Sequence, residues 1–382
     1  MKPGSRPALL VFSHLRWNFV YQRPQHLLSR LALRRPVMFL EEPVPDSGTW
    51  LERETPAPGV LVLRPHVADS APGFNDEAMA AILPMLHEAM DAAGFEDYLL
   101  WFYTPMALPL AAGLRPRNVV YDCMDELSAF RFAPPQLTQR ESELLRVADL
   151  VLTGGPSLYA SKRDRHPDVH CFPSSVDAAH FSRTPPEHPS QVELPRPRLG
   201  YYGVIDERLD LDLLAAVAQA RPGWQLVMVG PLAKIEPESL PRHPNLHWLG
   251  PRRYDELPAH LVGWDACLLP FALNESTRFI SPTKTLEYLA AGRPCVSTRI
   301  RDVAEHYADV VSIADDAPAF VAACEEILGW PTEVVAAFRE RAAAHVAATS
   351  WDHTVARIEA LLEGLEARPE AGQGMAIAGS FP

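Results

Sequence analysis

The sequence predicts an α/β protein in which two doubly wound, parallel-sheet domains face a central cleft. Its 382 residues suffice for two domains of roughly 150 residues or more, each able to bury a core. Short apolar runs alternate with segments of helical periodicity, which is typical of parallel sheets because helical crossovers join parallel strands. A proline-rich segment, residues 184–198, divides this alternation into two series and indicates the boundary between the domains.

The first series predicts an N-terminal domain over residues 1–186. Strands are expected in the continuous apolar runs, and helices where apolar residues recur every three or four positions. The predicted strands cover residues 8–14, 36–42, 60–65, 98–104, 118–125, 148–155 and 169–173. The predicted helices cover residues 21–33, 76–92 and 135–147.

The second series predicts a C-terminal domain over residues 187–350. Its strands are expected over 198–205, 224–231, 245–250, 264–271 and 294–298, and its helices over 209–220, 283–291, 315–328 and 332–348.

The segments outside the two sheets are also predicted. Residues 184–198 are expected to form an extended linker with few contacts. Ser350 caps a final helix, 351–365, whose single apolar face is expected to pack back on the first domain. Residues 366–382 lack periodicity and are expected to form a disordered tail.

Composition excludes several classes of protein. Apolar residues make up 47% and charged residues 22% of the chain, as in ordinary globular proteins, and the net charge of -13 argues against a nucleic-acid partner. Five scattered cysteines without a CxxC pair indicate a reducing, cytoplasmic location rather than a disulfide framework or zinc site. No HExxH, P-loop or GxGxxG motif supports a metalloprotease, an NTPase or a dehydrogenase.

The first 35 residues contain seven basic residues and no acidic one. If the arginines at 16, 23, 30, 34 and 35 share one exposed surface, anionic lipid attracts it by about 1 kcal/mol per charge. The protein is then peripheral on the inner face of the cell membrane. In the alternative, Arg16 and Arg23 point into the cleft and the other arginines are scattered.

The strongest functional signal is the run SPTKTLEYLAAGRPCVST at residues 281–298. A helix is expected to open at Thr283 and to end at Gly292 before a strand. Lys284 in the first turn of this helix suits a phosphate group, and Glu287 can accept hydrogen bonds from a ribose diol. An ordinary helix with a Lys–Glu pair on its solvated face explains the same spacing.

This run resembles the nucleotide-binding helix of GT-B glycosyltransferases, especially the retaining glycosyltransferase family 4. The resemblance extends in order through residues 22–32, 172–181, 199–214 and 245–261, and covers the chain to about residue 365. The most similar members are polysaccharide and teichuronic-acid type transferases. The resemblance implies a GT-B architecture of two Rossmann-like domains, with the acceptor on the N-terminal domain and the nucleotide-sugar on the C-terminal domain.

The activity that the resemblance implies is hexosyl transfer from a UDP- or GDP-sugar to a glycan or lipid-linked acceptor, in cell-surface polysaccharide synthesis. Transfer is expected to proceed with retention and without a metal, and the leaving phosphate itself takes the acceptor proton. Two alternatives stay open: a nucleotide-sugar epimerase of the same architecture, and a nucleotide-sugar-binding protein that has lost catalysis.

The resemblance also implies a donor site. Glu287 corresponds to the glutamate that holds the donor ribose, and Gly203 opens the loop that meets the diphosphate. Arg208 and Lys284 correspond to cations that neutralise the diphosphate as it leaves with about one additional negative charge. The acidic neighbours of Arg208 leave open a role at a solvated helix N-terminus.

Two positions of the donor site depart from the family pattern. Val204 stands where the family often has an arginine, so Arg278 is the expected partner of the diphosphate. Phe279 stands near the place of a second family glutamate. Glu275, four positions earlier, either replaces that glutamate or is unrelated to it.

The first domain departs from the family as well. A family histidine is missing, and Asp125 or Asp122 is expected in its place, with Asp125 favoured because it follows the strand end. A structural N-cap role explains Asp125 equally. The family's glycine-rich first turn is replaced by residues expected to face the acceptor, namely His14, Trp17, Asn18, Arg23 and Gln25.

Overall fold

The computed structural model describes residues 6–68 and 70–367 and contains two sheets with helices packed against them. The first sheet has the order β3-β5-β2-β1-β6-β7-β8-β9, and β4 pairs with β5. Its strands are β1 (Ala8–Ser13), β2 (Val37–Glu41), β3 (Val44–Asp46), β4 (Trp50–Ala57), β5 (Val60–Ala68), β6 (Tyr98–Phe102), β7 (Val119–Cys123), β8 (Leu150–Thr153) and β9 (Val169–Cys171). The helices of this part are α1 (Arg23–Leu31), α2 (Asp76–Ala93), α3 (Leu137–Val147) and α4 (Pro156–Lys162). The short helix α5 (Ala178–Phe181) comes next, and its Phe181 lies in the core of the second domain.

The second sheet is entirely parallel, in the order β12-β11-β10-β13-β14-β15. Its strands are β10 (Arg198–Tyr202), β11 (Gln225–Val229), β12 (Leu246–Trp248), β13 (Ala266–Leu269), β14 (Cys295–Thr298) and β15 (Val311–Ala314). The later helices are α6 (Leu211–Ala220), α7 (Leu257–Leu261), α8 (Thr283–Ala290), α9 (Arg301–His306), α10 (Ala317–Leu328), α11 (Thr332–Ala347) and α12 (Trp351–Glu366).

Strand β1 shows why the central strands are uninterrupted apolar runs. Leu10 and Phe12 pack in a core on one face of the sheet, while Leu9 and Val11 pack in a second core on the other face. A strand buried on both faces needs an apolar side chain at every position. The predicted α/β class with two doubly wound sheets is therefore confirmed.

The antiparallel strand β4 is absent from the sequence prediction. Its sequence, WLERETPA, has four consecutive polar residues at its centre, and it pairs with β5 at the border of the sheet. An edge strand needs only one covered face, so it lacks the continuous apolar run that marks the central strands.

The segment 184–198 is not an extended linker, and that prediction is wrong. Gln191 is fully buried within it and donates from Nε2 to the carbonyl of His260 at 2.9 Å. The indole of Trp264 donates to Gln191 Oε1 at 3.0 Å. The segment therefore packs as part of the second domain, because its buried Gln191 is hydrogen-bonded to residues of that domain, as buried polar groups usually are.

Helix α12 returns the chain to the first domain. Trp351, Ile358 and Leu362 are buried in the same core as Leu9 of β1, and Arg35 forms a buried ion pair with a glutamate on α12. The disordered tail is predicted to begin at residue 366, but Glu366 is the last residue of α12. Residues 368–382 of the predicted tail lie outside the part of the chain that the structure describes.

The chain therefore crosses between the domains twice, between β9 and α5 and before α12. The two crossings touch each other. Ser175 Oγ lies 2.6 Å from Thr349 Oγ1 and 2.8 Å from Thr354 Oγ1.

The basic N-terminal stretch does not form the free cationic surface proposed for lipid. Of the five arginines at 16, 23, 30, 34 and 35, four pair with carboxylates of the same chain, and Arg35 is fully buried. Arg34 is exposed and has no ion pair among the described residues. The pairs are Arg16–Glu41, Arg23–Asp122, Arg30–Asp352 and Arg35–Glu359. Among the described residues, no helix combines the length and apolar character needed to cross a bilayer.

Candidate active site

Side chains that follow strands of both sheets meet between the two domains. His14 follows β1 and Asp125 follows β7 in the first sheet, while Gly203 and Lys234 follow β10 and β11 in the second. The positive charge of Lys234 lowers the pKa of both His14 and Asp125, so these groups lie close together across the cleft. Such a crevice at the carboxyl ends of parallel strands is the usual ligand site of α/β folds.

Glu287 is buried on α8 and is held by a tyrosine. The hydroxyl of Tyr202 donates to Glu287 Oε2 at 2.8 Å, and burial raises the pKa of Glu287 to about 7. Only 6% of Glu287 is exposed. The alternative of a Lys–Glu pair on a solvated helix face is therefore excluded.

Lys284 lies beneath the loop that Gly203 opens. Gly203 has φ +141°, and a Cβ there would stand 2.1 Å from Lys284 Cε. Burial lowers the pKa of Lys284 to about 8. The amine is therefore mostly protonated at neutral pH and loses its charge just above it. A glycine is needed here both for the backbone angle and for the passage of the lysine.

Arg208 is directed by an aspartate toward the first domain. Its Nε donates to Asp206 Oδ1 at 3.0 Å and its Nη2 to Asp206 Oδ2 at 2.6 Å. The guanidinium carbon lies 5.4 Å from the ring centroid of Phe130, which belongs to the first domain. Arg208 also lowers the pKa of Asp125. A role at a solvated helix N-terminus does not describe this residue.

Asp125 and Asp122 have different partners, and the role of Asp125 stays a prediction. Asp122 is fully buried and is bound by the Arg23 guanidinium at 2.9 to 3.1 Å. Asp125 faces the charges of the cleft, and burial raises its pKa to about 6. The 3-10 helix that follows has Glu126 at its N-cap position, so Asp125 is not its cap.

Three of the five residues expected to face the acceptor are structural, and their prediction is wrong. Arg23 is buried against Asp122, and its Nη1 donates to the carbonyl of Phe172 at 2.8 Å. The buried amide of Gln25 donates to the carbonyls of Trp17 and Val20. Trp17 is itself buried. These side chains shape the loop after β1 from within.

The other two, His14 and Asn18, differ in position. Burial lowers the pKa of His14 to about 4, so its imidazole is neutral. Its Nδ1 has no hydrogen-bond partner within the described part of the chain. Asn18 is exposed and donates to Glu54 on β4 at 2.8 Å. Of the five, His14 is the side chain that the structure brings to the charged cleft.

Glu275 and Arg278 lie apart from the buried donor residues. They pair with each other at 3.5 Å, with 76% and 63% of their side chains exposed. Within residues 6–68 and 70–367, neither forms a hydrogen bond or ion pair with Glu287, Lys284 or Arg208. Their proposed roles stay predictions. Phe279 packs against the core of the first domain, so an apolar contact between the domains occupies that position.

Sequence reasoning missed Lys234, Phe130 and Glu42. Lys234 and Glu42 each follow a strand of a parallel sheet, which is the same rule that selected Asp125. Burial raises the pKa of Glu42 to about 7, and Lys234 counteracts that shift. Phe130 carried no signal in the sequence, because its role depends on cations that reach it from the other domain.

In comparison with known protein families, the part of the chain that matches lies in the second domain. Residues 196–329 match the family described as Glycosyl transferases group 1. Over 268 residues, the chain is 26% identical to a protein of Bacillus subtilis (strain 168) named as the teichuronic acid biosynthesis glycosyltransferase TuaH. That similarity covers 64% of this chain and 68% of the relative.

Solved structures are similar over almost the whole chain. Sucrose-phosphate synthase from Thermosynechococcus elongatus has a TM-score of 0.70 at 16% identity, covering 95% of this chain and 100% of its own. An E. coli structure described as trehalose-6-phosphate bound with UDP-2-fluoro glucose has a TM-score of 0.67 at 12% identity, covering 95% of this chain and 99% of its own. At such identities the likeness concerns the fold. The chain has the GT-B fold and is a glycosyltransferase, with a Glycosyl transferases group 1 domain at residues 196–329.

Proposed function

We propose that this glycosyltransferase moves a sugar from a UDP- or GDP-sugar to a glycan or lipid-linked acceptor, with retention, in cell-surface polysaccharide synthesis. The second domain holds the donor and the first domain holds the acceptor. The observation that carries the proposal is the half-buried Lys284 beside the buried Glu287 at the end of the second sheet, opposite Asp125.

Glu287 is suited to a ribose. Tyr202 binds one carboxylate oxygen, and the other oxygen is then available to a vicinal diol. Because the carboxyl is held in a low-dielectric setting, a hydrogen bond from a ribose hydroxyl is stronger there than in water. The E. coli structure with the same fold carries UDP-2-fluoro glucose, which agrees with a nucleotide-sugar in this chain.

Lys284 and Arg208 are suited to the leaving diphosphate. In the proposed reaction the bond between the sugar C1 and the β-phosphate oxygen breaks, and the acceptor oxygen forms a bond to C1 on the same face. The acceptor proton passes to the leaving phosphate, whose added negative charge the two cations stabilise. No metal and no separate base is required by this scheme, and Asp125 orients the acceptor hydroxyl.

Nucleotide binding is the first test. A thermal-shift series with UDP, GDP, ADP and dTDP, alone and as sugar conjugates, compares the wild type with Glu287→Gln. A ligand at 100 times its Kd stabilises the fold by about 2.7 kcal/mol. We expect one nucleotide to raise the Tm of the wild type and not that of Glu287→Gln. Glu326→Gln, which changes an exposed glutamate on α10 of the same domain, is the matched control and responds as the wild type.

The outcome that contradicts the donor proposal is a wild type whose Tm no nucleotide or nucleotide-sugar raises. Once the donor is known, the anomeric configuration of the product by NMR tests retention. Turnover in the presence of a chelator tests the expected independence from metal.

A further inference from the structure

Lys234 reaches from the second domain into the cleft and shares an aromatic ring with Arg208. Its Nζ lies 4.9 Å from the ring centroid of Phe130, and the guanidinium carbon of Arg208 lies 5.4 Å from the same centroid. Two cations are thus gathered at one side chain of the first domain. A cation near an aromatic face is attracted to it, so Phe130 holds both charges in place.

The two cations differ in how far they are neutralised. Arg208 donates to both carboxylate oxygens of Asp206. Among the described residues, Lys234 has no carboxylate within ion-pair distance. Its charge nevertheless acts on His14, Glu42 and Asp125, which follow three different strands of the first sheet. Lys234 therefore carries a charge that is free to bind an anion at the centre of the cleft.

The backbone fixes this lysine beside the loop of Gly203. Lys234 has φ +59°, in the left-handed region that non-glycine residues seldom adopt. The preceding residue, Ala233, donates its N–H to the carbonyl of Ile205 at 3.0 Å, and Ile205 donates to the carbonyl of Pro231 at 2.9 Å. A side chain kept in an unfavourable backbone conformation beside a binding loop is typical of functional positions.

We propose that Lys234 is a further catalytic residue that binds the β-phosphate of the donor, supplying the positive charge that Val204 does not. This inference rests on the proposed nucleotide-sugar donor. Arg208 and Lys234 repel each other while the cleft holds no ligand, and a diphosphate between them removes that repulsion. When the bond between C1 and the phosphate oxygen breaks, the electron pair stays on this oxygen, and Lys234 stabilises the charge.

The test measures the Kd of the nucleoside diphosphate found in the thermal-shift series and of the corresponding monophosphate by calorimetry. Lys234→Met is expected to weaken the diphosphate by about tenfold to a hundredfold, as for loss of a charged hydrogen bond. The monophosphate lacks the β-phosphate and is expected to change by less than about threefold on the same scale. Lys234→Arg restores the difference between the two ligands.

Two further variants separate this role from a general charge effect and from folding. Arg301→Met removes an exposed arginine of the same domain that pairs with Glu305, and it is expected to bind both nucleotides as the wild type does. Lys234→Gly suits the left-handed backbone, so it is expected to unfold at the same or a higher temperature while binding the diphosphate weakly. A purely structural lysine would not weaken binding without loss of stability.

Each outcome decides between the proposals. If the wild type binds a nucleoside diphosphate and Lys234→Met binds it equally well, the role of Lys234 is refuted and the proposed function stands. If Arg278→Met shows the selective loss instead, the charge comes from that residue and this inference is wrong. If the wild type binds no nucleotide, both proposals fail.

Discussion

The buried ion pair between Arg23 and Asp122 gives a prediction that separates the structure from the sequence-based expectation. In the structure Arg23 stabilises the first domain and does not face the acceptor. Its guanidinium donates to Asp122 at 2.9 to 3.1 Å and to the carbonyl of Phe172 at 2.8 Å. The substitution Arg23→Met keeps the volume of the side chain and leaves the Asp122 carboxyl without its partner.

The expected loss follows from the burial of the pair. Removal of one partner of a buried pair costs about 3–5 kcal/mol, because the other charge stays uncompensated. For domains of this size, 1 kcal/mol changes Tm by about 2–4 °C, so the Tm of Arg23→Met falls by about 6–20 °C. Differential scanning calorimetry measures this change, and the nucleotide Kd of the folded variant is expected to equal that of the wild type.

The loss of stability in Arg23→Met is also expected to depend on pH. Burial raises the pKa of Asp122 and Arg23 counteracts this shift, so the pKa rises further without the arginine. A carboxyl whose pKa is higher in the folded state than in the unfolded state destabilises the fold as pH rises through these values. The stability deficit of Arg23→Met is therefore expected to be smaller at acidic pH than at neutral pH.

The double variant Arg23→Met/Asp122→Leu is the internal control, because apolar replacement of both partners removes the uncompensated charge. It is expected to recover most of the lost Tm. A single variant that unfolds within about 2 °C of the wild type and loses acceptor affinity would refute this reasoning and restore the sequence-based role.

Three further predictions concern the cleft and the domain contact. Since burial lowers the pKa of Lys284 to about 8, diphosphate affinity is expected to fall by up to about tenfold per pH unit above that value; a Lys284→Arg variant that shows the same fall in calorimetry would argue against this origin. Gly203→Ala brings a Cβ to 2.1 Å from Lys284 Cε, so the expected result is weaker binding of diphosphate than of monophosphate, and equal weakening of both would contradict it. Gly155→Ala brings a Cβ to 2.6 Å from Asp302 Oδ2 across the domain contact, which is expected to destabilise the fold by about 1–3 kcal/mol. Gly223→Ala, where the added Cβ meets nothing within 4 Å, is the control. Equal Tm values for the two variants would show that the domain contact adjusts to the added methyl group and would contradict the prediction.

The sequence predicted the fold because the central strands are buried on both faces, as in the run ALLVFS of β1. The same reasoning failed at β4, an edge strand whose central residues, 52–55, are all polar. The sequence analysis also failed at Gln191, because nothing in a polar, proline-rich segment indicates that one of its polar side chains is buried. Hydrophobic patterning reveals the elements whose energy comes from apolar burial, and it is silent about segments held by polar contacts.

The candidate site was predictable where position along a strand decides function, and not where a distant partner does. Asp125 was favoured because it follows a strand end, and Glu287 was selected because it lies one turn into a helix that opens at the ligand edge of a sheet. Arg23 occupies a similar place, yet its partner lies 99 residues further along the chain and withdraws it from the cleft. Lys234 was overlooked because its relation to Phe130 exists only when both domains are assembled.

The second crossing of the chain has a consequence for the integrity of the molecule. Helix α12 belongs in sequence to the second half, but its Trp351 and Ile358 fill the core of the first domain. A single proteolytic cut at the first crossing, between β9 and α5, would therefore leave two fragments that stay joined, because the later fragment keeps one helix embedded in the earlier one. Ser175, bonded to Thr349 and Thr354, stands where the two connections pass. Because the two connections adjoin, we expect any opening of the cleft to be a rotation about this point, without sliding of the two halves past each other.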